Sequence, residues 1–276
     1  MPHYQYFNHQ LYPVDSPLFK TTDLGLLRGY SIFDYFRTFN GVPFRWDDYW
    51  QRFENSARLF RLNLPITKQE AAVVLADLYK RSGEAEVAFR FLLTGGDAPD
   101  SVTTLSPNLL IRTEALPAGN EVARTKGIKV LPYDYVRDLP EIKSTNYVHM
   151  MLMADEIRRQ QATDLLYHKN GEVSELTRSN IFIIKGDRLI TPGQHVLHGI
   201  TRRVVMELAT SCLDVQVQPI TLEELLQADE VFTTSSTKFI MPVVQAGEQI
   251  IGGGVAGKYT VQLQHLFYKL IAGWGS

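Results

Sequence analysis

The sequence predicts an α+β (mixed α/β) fold in two lobes. Amphipathic helical segments and apolar strand segments alternate along the chain without a strict strand–helix–strand rhythm. Midway, the small-residue stretch ALPAGNEVA, with Pro117 and Gly119, interrupts them. The chain has 276 residues, and at about 100–200 residues per domain that is one large domain or two medium ones. The division drawn from these signals is a small N-terminal α/β domain over 1–115, a linker over 116–122 and a larger C-terminal domain over 123–276.

The elements follow in order. The first 20 residues mix aromatics with Pro13 and Pro17 and are assigned no element. YSIFDYFRTF reads as a strand ending at Asn40-Gly41, a strong hairpin signal, and VPFRW returns from it. Trp46, Tyr49/Trp50, Phe53, Ala57 and Phe60 recur at helical spacing, with Asp47 as cap and Pro65 closing the segment. A second helix runs from about Thr67 to Ser82. Thr67 and Glu70 form its capping box, and Gly83 stops it. AEVAFRFLLTGGD is a strand entering a glycine turn, and NLLIRTEAL is another strand. Beyond the linker, GIKVLPYDY is a strand and residues 144–162 are one long helix. DLLYHKNGEVSELTRSNIFIIKGDRLITP is a strand series broken by two glycine turns. Helices follow in GITRRVVMELATSC and ITLEELLQA, then strand in DEVFTTSSTKFIMPVVQAG, then a last helix over roughly 257–271.

Composition excludes several classes. The chain is 45% hydrophobic and 21% charged, which suits a globular protein and not a disordered one. With 28 Lys+Arg against 30 Asp+Glu, no global basic field exists to attract nucleic acid or an anionic membrane. Cys212 is the one cysteine, which removes internal disulfides and multi-cysteine metal frameworks. His195 and His198 in GQHVLHG have no carboxylate beside them, so no metal site is expected. The N-terminus lacks a charged segment followed by an apolar core, and runs such as NIFII are too short to cross a membrane. A cytoplasmic protein without metal is the expectation.

One pattern is set aside. Gly252 to Gly257 satisfies G-x-G-x-x-G, but the acidic residue a dinucleotide fold places about 20 positions later would lie beyond Ser276. A turn is the better reading.

The chemistry gathers around Lys143 in LPEIKSTN. A lone lysine is most often a solvated charge. Lys143, however, lies between a strand and a helix, where loops carry chemistry, and a partly desolvated amine there can form a Schiff base. The commonest carbonyl partner of this kind is pyridoxal 5'-phosphate. That cofactor also needs a phosphate site and an acid beside its pyridine nitrogen. In LHGITRRVV, Gly199 precedes a helix start, so the Ile200 and Thr201 amides and the Thr201 hydroxyl make a phosphate cradle, although ordinary capping fits the same residues. Glu175, just before an apolar strand, is either solvated or the acid that meets the ring nitrogen.

Together these segments resemble the class IV pyridoxal-phosphate aminotransferases: D-amino acid transaminases, branched-chain aminotransferases and aminodeoxychorismate lyases. The resemblance rests on Asp23 through RTFNG at Gly41, the helix bearing Arg52, and IKSTN at 142–146. It continues through SELTRSNIFII at 174–184, HGITRRVV at 198–205 and ADEVFTTSSTKFIMPV at 228–243. It implies a two-domain fold with the cofactor pocket between the domains and the C-terminal domain binding the cofactor, in a homodimer whose active sites lie near the subunit interface. By it, Lys143 is the Schiff-base lysine and moves the proton between Cα and C4′. Glu175 keeps the pyridine nitrogen protonated. Arg52, which by pattern alone is a surface arginine with a buried stem, pairs with the cofactor phosphate. Ile200, Thr201 and Ser236 also bind that phosphate, Ser236 where the family usually has threonine.

The resemblance also implies amino acid and 2-oxo acid substrates. A substrate carboxylate needs a cation, best a bidentate arginine. D-amino acid transaminases carry T-R-G-x-x-x-R-x-H after a strand. Here TGGDAPD at 94–100 has lost both basic positions. Arg90, in an otherwise uncharged strand, and Arg28, in a loop that in this family approaches the neighbouring subunit's active site, are the expected replacements. Arg178 is a third candidate, and Phe33, Ser235 and Thr237 complete the substrate set. IKSTN and the TSST run favour a D-amino acid transaminase acting on donors such as D-alanine or D-glutamate. The alternatives are a branched-chain L-amino acid aminotransferase, then a lyase, then a binding homologue without catalysis.

Overall fold

A computed structural model describes residues 4–104, 106–119 and 121–275. The chain divides into two compact units. The first reaches Pro117 and takes in Ile142–Asn146 and the residues from Ala272 onward. The second comprises Ala118–Glu141 and Tyr147–Ile271.

In the first unit, β1 (Tyr4–Phe7), β2 (Gln10–Pro13), β3 (Ser31–Phe39), β4 (Val42–Pro43), β5 (Ala88–Thr94) and β6 (Asn108–Glu114) form an antiparallel sheet in the order β2-β1-β6-β5-β3-β4. The Asn40-Gly41 turn joins β3 to β4 with both residues at positive φ, 50° and 73°, as a two-residue hairpin of primed type requires. The β1–β2 hairpin is absent from the sequence reading. Its turn residues Asn8 and His9 also have positive φ, but without a glycine the signal is weak.

β3 alternates. Ile32, Asp34, Phe36 and Thr38 are buried on one face, while Phe33, Tyr35 and Arg37 are half-buried on the other. Helix α2 (Trp46–Leu59) packs against the first face, setting Trp46 and Tyr49 at tilted angles to Phe36 with ring centres 5.4 and 5.2 Å away. Asp47 is not its cap. The chain enters α2 through Arg45 at φ 51°, and Asp47 and Asp48 lie in the first turn, facing the positive end of the helix dipole. Helix α3 (Lys68–Ser82) has the expected Thr67/Glu70 capping box and ends at Gly83 in the left-handed region. A short helix α1 (Leu24–Arg28) precedes β3, capped by the buried Asp23.

The expected helix over 144–162 does not form as one piece. Ile142–Asn146 instead lies along the start of β3: Ser144 bridges Ile32, and the Phe33 amide donates to the Lys143 carbonyl at 2.9 Å. Two short helices remain, α5 (Val148–Leu152) and α6 (Ala154–Arg159), separated at Met153. Within the expected linker, Asn120 lies outside the described residues, and Glu121 begins helix α4 (Glu121–Lys126).

The second unit is built on β7 (Ile128–Asp134), β8 (Asp164–Lys169), β9 (Glu172–Leu176), β10 (Asn180–Lys185), β11 (Arg188–Thr191), β12 (Asp214–Val217), β13 (Ile220–Thr221), β14 (Glu230–Ser235), β15 (Phe239–Ala246) and β16 (Gln249–Ile250). The order is β12-β11-β10-β14-β15-β7-β8-β9-β13, with β16 against β15. β9 also pairs with β10 through Glu175 and Asn180, so the strands from β10 round to β9 close on themselves. Val130, Leu166, Ile181, Val231 and Met241 lie in the apolar core. Helix α7 (Ile200–Ala209) packs near β14, helix α8 (Leu222–Leu226) follows β13 and helix α9 (Lys258–Ala272), all but its last residue in this unit, follows β16. Gly252 and Gly254 sit in a turn at φ 55° and 72°, in accord with the turn reading of GGGVAG. No helix of the described residues is long and apolar enough to cross a membrane.

Candidate active site

In the first unit, Lys143 is held by its backbone. Its carbonyl accepts from Phe33, and its amide lies 3.3 Å from the Ser56 hydroxyl of α2. The side chain is half-buried, with Nζ 4.6 Å from the centre of the Phe33 ring. Arg52, one turn before Ser56 on α2, makes a bidentate pair with Asp34 at 2.9 and 2.6 Å. Asp34 is 1% exposed, so β3 and α2 are cross-linked by a buried charge pair.

Arg90 sits opposite Tyr35 on β5, on the sheet face that carries Phe33. Its guanidinium lies over both rings, 5.5 and 5.2 Å from their centres. Arg90 is directly cross-strand from Arg112, and like charges so placed repel. Glu114 relieves this by accepting from both, at 2.6 and 3.0 Å from Arg90 and 2.9 and 2.6 Å from Arg112. Burial opposes the Glu114 charge, but the two arginines hold its carboxyl below the usual glutamate range. Two cations against one anion leave this cluster net positive. Arg28 is exposed at the end of α1, its guanidinium on the Leu27 carbonyl at 3.0 Å.

In the second unit, Glu175 lies at the seam where the strands close, 3% exposed. Oε1 accepts from Arg137 Nε at 2.7 Å, and Oε2 accepts from the Leu197 amide at 3.0 Å and Asn180 at 3.4 Å. Burial works against the Arg137 charge, yet Glu175 pushes its pKa up overall. Arg137 also donates to the Pro140 carbonyl at 2.5 Å. Burial likewise pushes up the Tyr167 hydroxyl, with Asp164 and Glu175 adding to it.

Asn180 connects Glu175 to α7. It donates to the Leu197 carbonyl at 2.8 Å, and a Cβ placed on Gly199 would fall 2.1 Å from its Oδ1. Gly199 is thus the N-cap residue because no side chain fits, and it opens a helix whose first residues, Ile200 and Thr201, are buried. The hydroxyls of Ser179, in the bend after β9, and Thr234, on β14, are buried and take no hydrogen bond among the described residues. Ser235 ends β14. Its hydroxyl accepts from the Lys238 amide at 3.1 Å across the turn that holds half-buried Ser236 and exposed Thr237. Arg178 is exposed in the bend between β9 and β10.

The family model for class IV amino-transferases matches residues 31–246. The chain belongs to the class IV aminotransferases. It is 30% identical over 264 residues, covering 92% of the chain and 91% of the relative, to a Methanocaldococcus jannaschii protein named provisionally as a branched-chain-amino-acid aminotransferase. It is 28% identical over 249 residues, covering 88% of each, to D-alanine aminotransferase of Bacillus licheniformis. Among solved structures, the branched-chain amino acid aminotransferase from Escherichia coli superposes with a TM-score of 0.90 at 25% identity, over 100% of this chain and 98% of that one.

Class IV aminotransferases use pyridoxal 5'-phosphate, and the residues present fit it. The second unit supplies helix-start residues behind a glycine that admits no Cβ, and a buried carboxylate suited to a protonated pyridine. In the first unit, Lys143 offers a half-buried amine and Arg52 a guanidinium already paired with Asp34.

Among the residues that shape these sites, Arg137, Asn180, Asp34 and Glu114 escaped the sequence reading. Asn180 and Asp34 sit inside motifs already singled out, SELTRSN and SIFDYF, where a buried polar residue in an apolar strand is itself a signal. Arg137, in VRDLPEIK, follows no period at all.

Proposed function

We propose that this class IV aminotransferase moves the amino group of a D-amino acid, such as D-alanine or D-glutamate, to a 2-oxo acid in two half-reactions. When bound, pyridoxal 5'-phosphate supplies the electron sink that makes the substrate's Cα proton labile. Lys143 would be the amine that engages the cofactor carbonyl and would move the Cα proton as a general base and acid. Glu175, oriented by Arg137, would hold the pyridine nitrogen protonated. Arg52, Ile200, Thr201 and Ser236 would hold the phosphate.

The carrying observation for an amino acid substrate is the net-positive Arg90–Glu114–Arg112 cluster on the sheet face shared with Phe33, whose ring lies under Lys143 Nζ; similarity to D-alanine aminotransferase supports the D-configuration. It answers the loss of the basic positions from TGGDAPD. Arg90, assisted by Arg28, is the carboxylate partner in this reading, with Phe33, Arg178, Ser235 and Thr237 around the substrate. Replacing Arg28 or Arg90 by Ala raises KM for the amino donor. Unchanged donor KM and kcat/KM in both variants would remove the clamp. The reading takes the enzyme as a cytoplasmic homodimer. Leu26 and Leu27, 66% and 40% exposed beside Arg28, are the apolar surface a second copy would cover.

A branched-chain L-amino acid aminotransferase is the second reading, favoured by the names of the archaeal relative and of the Escherichia coli structure. A donor screen with 2-oxoglutarate as acceptor separates the two. D-alanine and D-glutamate are set against L-leucine and L-glutamate. Activity with the D-donors supports the first reading, and preference for L-leucine overturns it.

A further inference from the structure

The turn after β14 contains a lysine that points inward. Lysines in turns are normally solvated, and nothing in the β14–β15 hairpin register needs this one. Yet the Lys238 side chain is only 19% exposed, and its Nζ reaches Asp164 Oδ2 at 3.1 Å. Asp164, the first residue of β8, is 1% exposed. Its other oxygen accepts the Thr177 hydroxyl and its neighbour Leu165 amide, the latter at 2.9 Å. Thr177 opens the bend that follows Glu175 and β9.

We propose that Asp164 and Lys238 are positioning residues for cofactor binding: one buried carboxylate locks the 236–238 turn and the 177–179 bend in a single arrangement. Lys238 acts on the turn from both ends. Its ammonium is anchored inside, and its amide holds Ser235 Oγ. The turn therefore cannot swing without breaking a buried ion pair, and the Ser236 and Thr237 hydroxyls keep one orientation. The Thr177 contact does the same for the loop that carries Arg178 and the buried Ser179 hydroxyl. Buried charge pairs add little net stability and are better explained by the arrangement they impose. This rests on the proposed assignment of the turn to the cofactor phosphate.

The test uses the full-length protein stripped of cofactor and titrated with pyridoxal 5'-phosphate. Kd, the 31P resonance of the bound phosphate and the thermal midpoint of the apo-form are read together. Lys238→Met should raise Kd at least about tenfold and shift or broaden the 31P signal, whereas Lys238→Arg should restore both. Lys238→Gln, which leaves Asp164 a neutral donor, is the milder variant should Lys238→Met fail to fold. Asp164→Asn should act in the same direction. A lowered thermal midpoint with Kd and 31P signal unchanged in Lys238→Gln and Asp164→Asn would make the pair structural only and overturn the proposal. Ser236→Ala separates the two levels. If it leaves Kd and the 31P signal unchanged, the assignment of the turn fails. If it weakens binding while the Lys238 and Asp164 variants do not, the present inference alone fails. Neither outcome depends on whether the substrate is a D- or an L-amino acid.

Discussion

Arg137→Met tests the claim that Glu175 is held by a buried ion pair. The substitution keeps the apolar stem and removes the charge. Glu175 is 3% exposed, and its partner's side chain is 11% exposed. Removing one member of such a pair costs about 3–5 kcal/mol, because the remaining charge stays buried. Two donors survive on Glu175, the Leu197 amide at 3.0 Å and Asn180 at 3.4 Å, so the lower end, about 3 kcal/mol, applies. At about 2–4 °C per kcal/mol for a domain of this size, the apo-protein should melt about 6–12 °C lower by circular dichroism. Adding Glu175→Gln removes the orphaned charge and should recover part of the loss, giving a coupling energy of about 1–3 kcal/mol in a double-mutant cycle. Additive effects in that cycle, or an Arg137→Met melting point equal to that of the parent, would refute the reasoning.

Two further outcomes follow from the same geometry. Gly199→Ala puts a methyl against Asn180, which cannot withdraw while its amide donates to the Leu197 carbonyl; overpacking of about 1–3 kcal/mol and a displaced α7 start should weaken cofactor binding in a titration of the apo-protein, and parental affinity and stability would refute it. Glu114 titrates below its ordinary value in the folded state, so the stability it contributes is complete above the normal glutamate range and is lost as the pH falls through that range to the lower folded value; the melting-point gap between parent and Glu114→Gln should be largest near neutrality and shrink below about pH 4, and a gap independent of pH would count against the cluster.

What could be read from the sequence was local. Asn40-Gly41 announces its turn because two positive φ values in succession need those residues. Thr67 and Glu70 announce a helix start because their side chains satisfy amides three residues apart. The 144–162 segment misled because helical spacing from Val148 onward said nothing of the partner waiting for Ile142–Asn146 on β3. The roles expected of Lys143, Glu175 and Arg52 came from family resemblance; their partners did not. Arg137 lies 38 residues from Glu175 in sequence, and Lys238 lies 74 from Asp164. Contacts at such range leave no periodic trace. Closure of the second sheet at Glu175 and Asn180 likewise depends on strand order.

Three of the buried acids share one logic, whereas Asp23 is held by the Gly25 amide, the Thr94 hydroxyl and the Asn108 amide. Asp34, Glu175 and Asp164 are each almost fully buried, and each is paired with a cation from a different kind of element. Arg52 comes from a helix, Arg137 from the chain beyond β7 and Lys238 from a turn. Water has largely been removed from all three carboxylates, a cost their Coulombic gain offsets only when geometry and further hydrogen bonds are good. Each meets that condition. Asp34 is engaged in two directions by Arg52 and accepts the Tyr35 amide at 2.7 Å. Glu175 takes three partners, and Asp164 accepts a hydroxyl, an amide and an ammonium. Apolar residues of equal volume would fill these places without the desolvation cost but would fix no direction. Cations and carboxylates already held in one orientation leave less reorganisation for the moment a charged ligand binds.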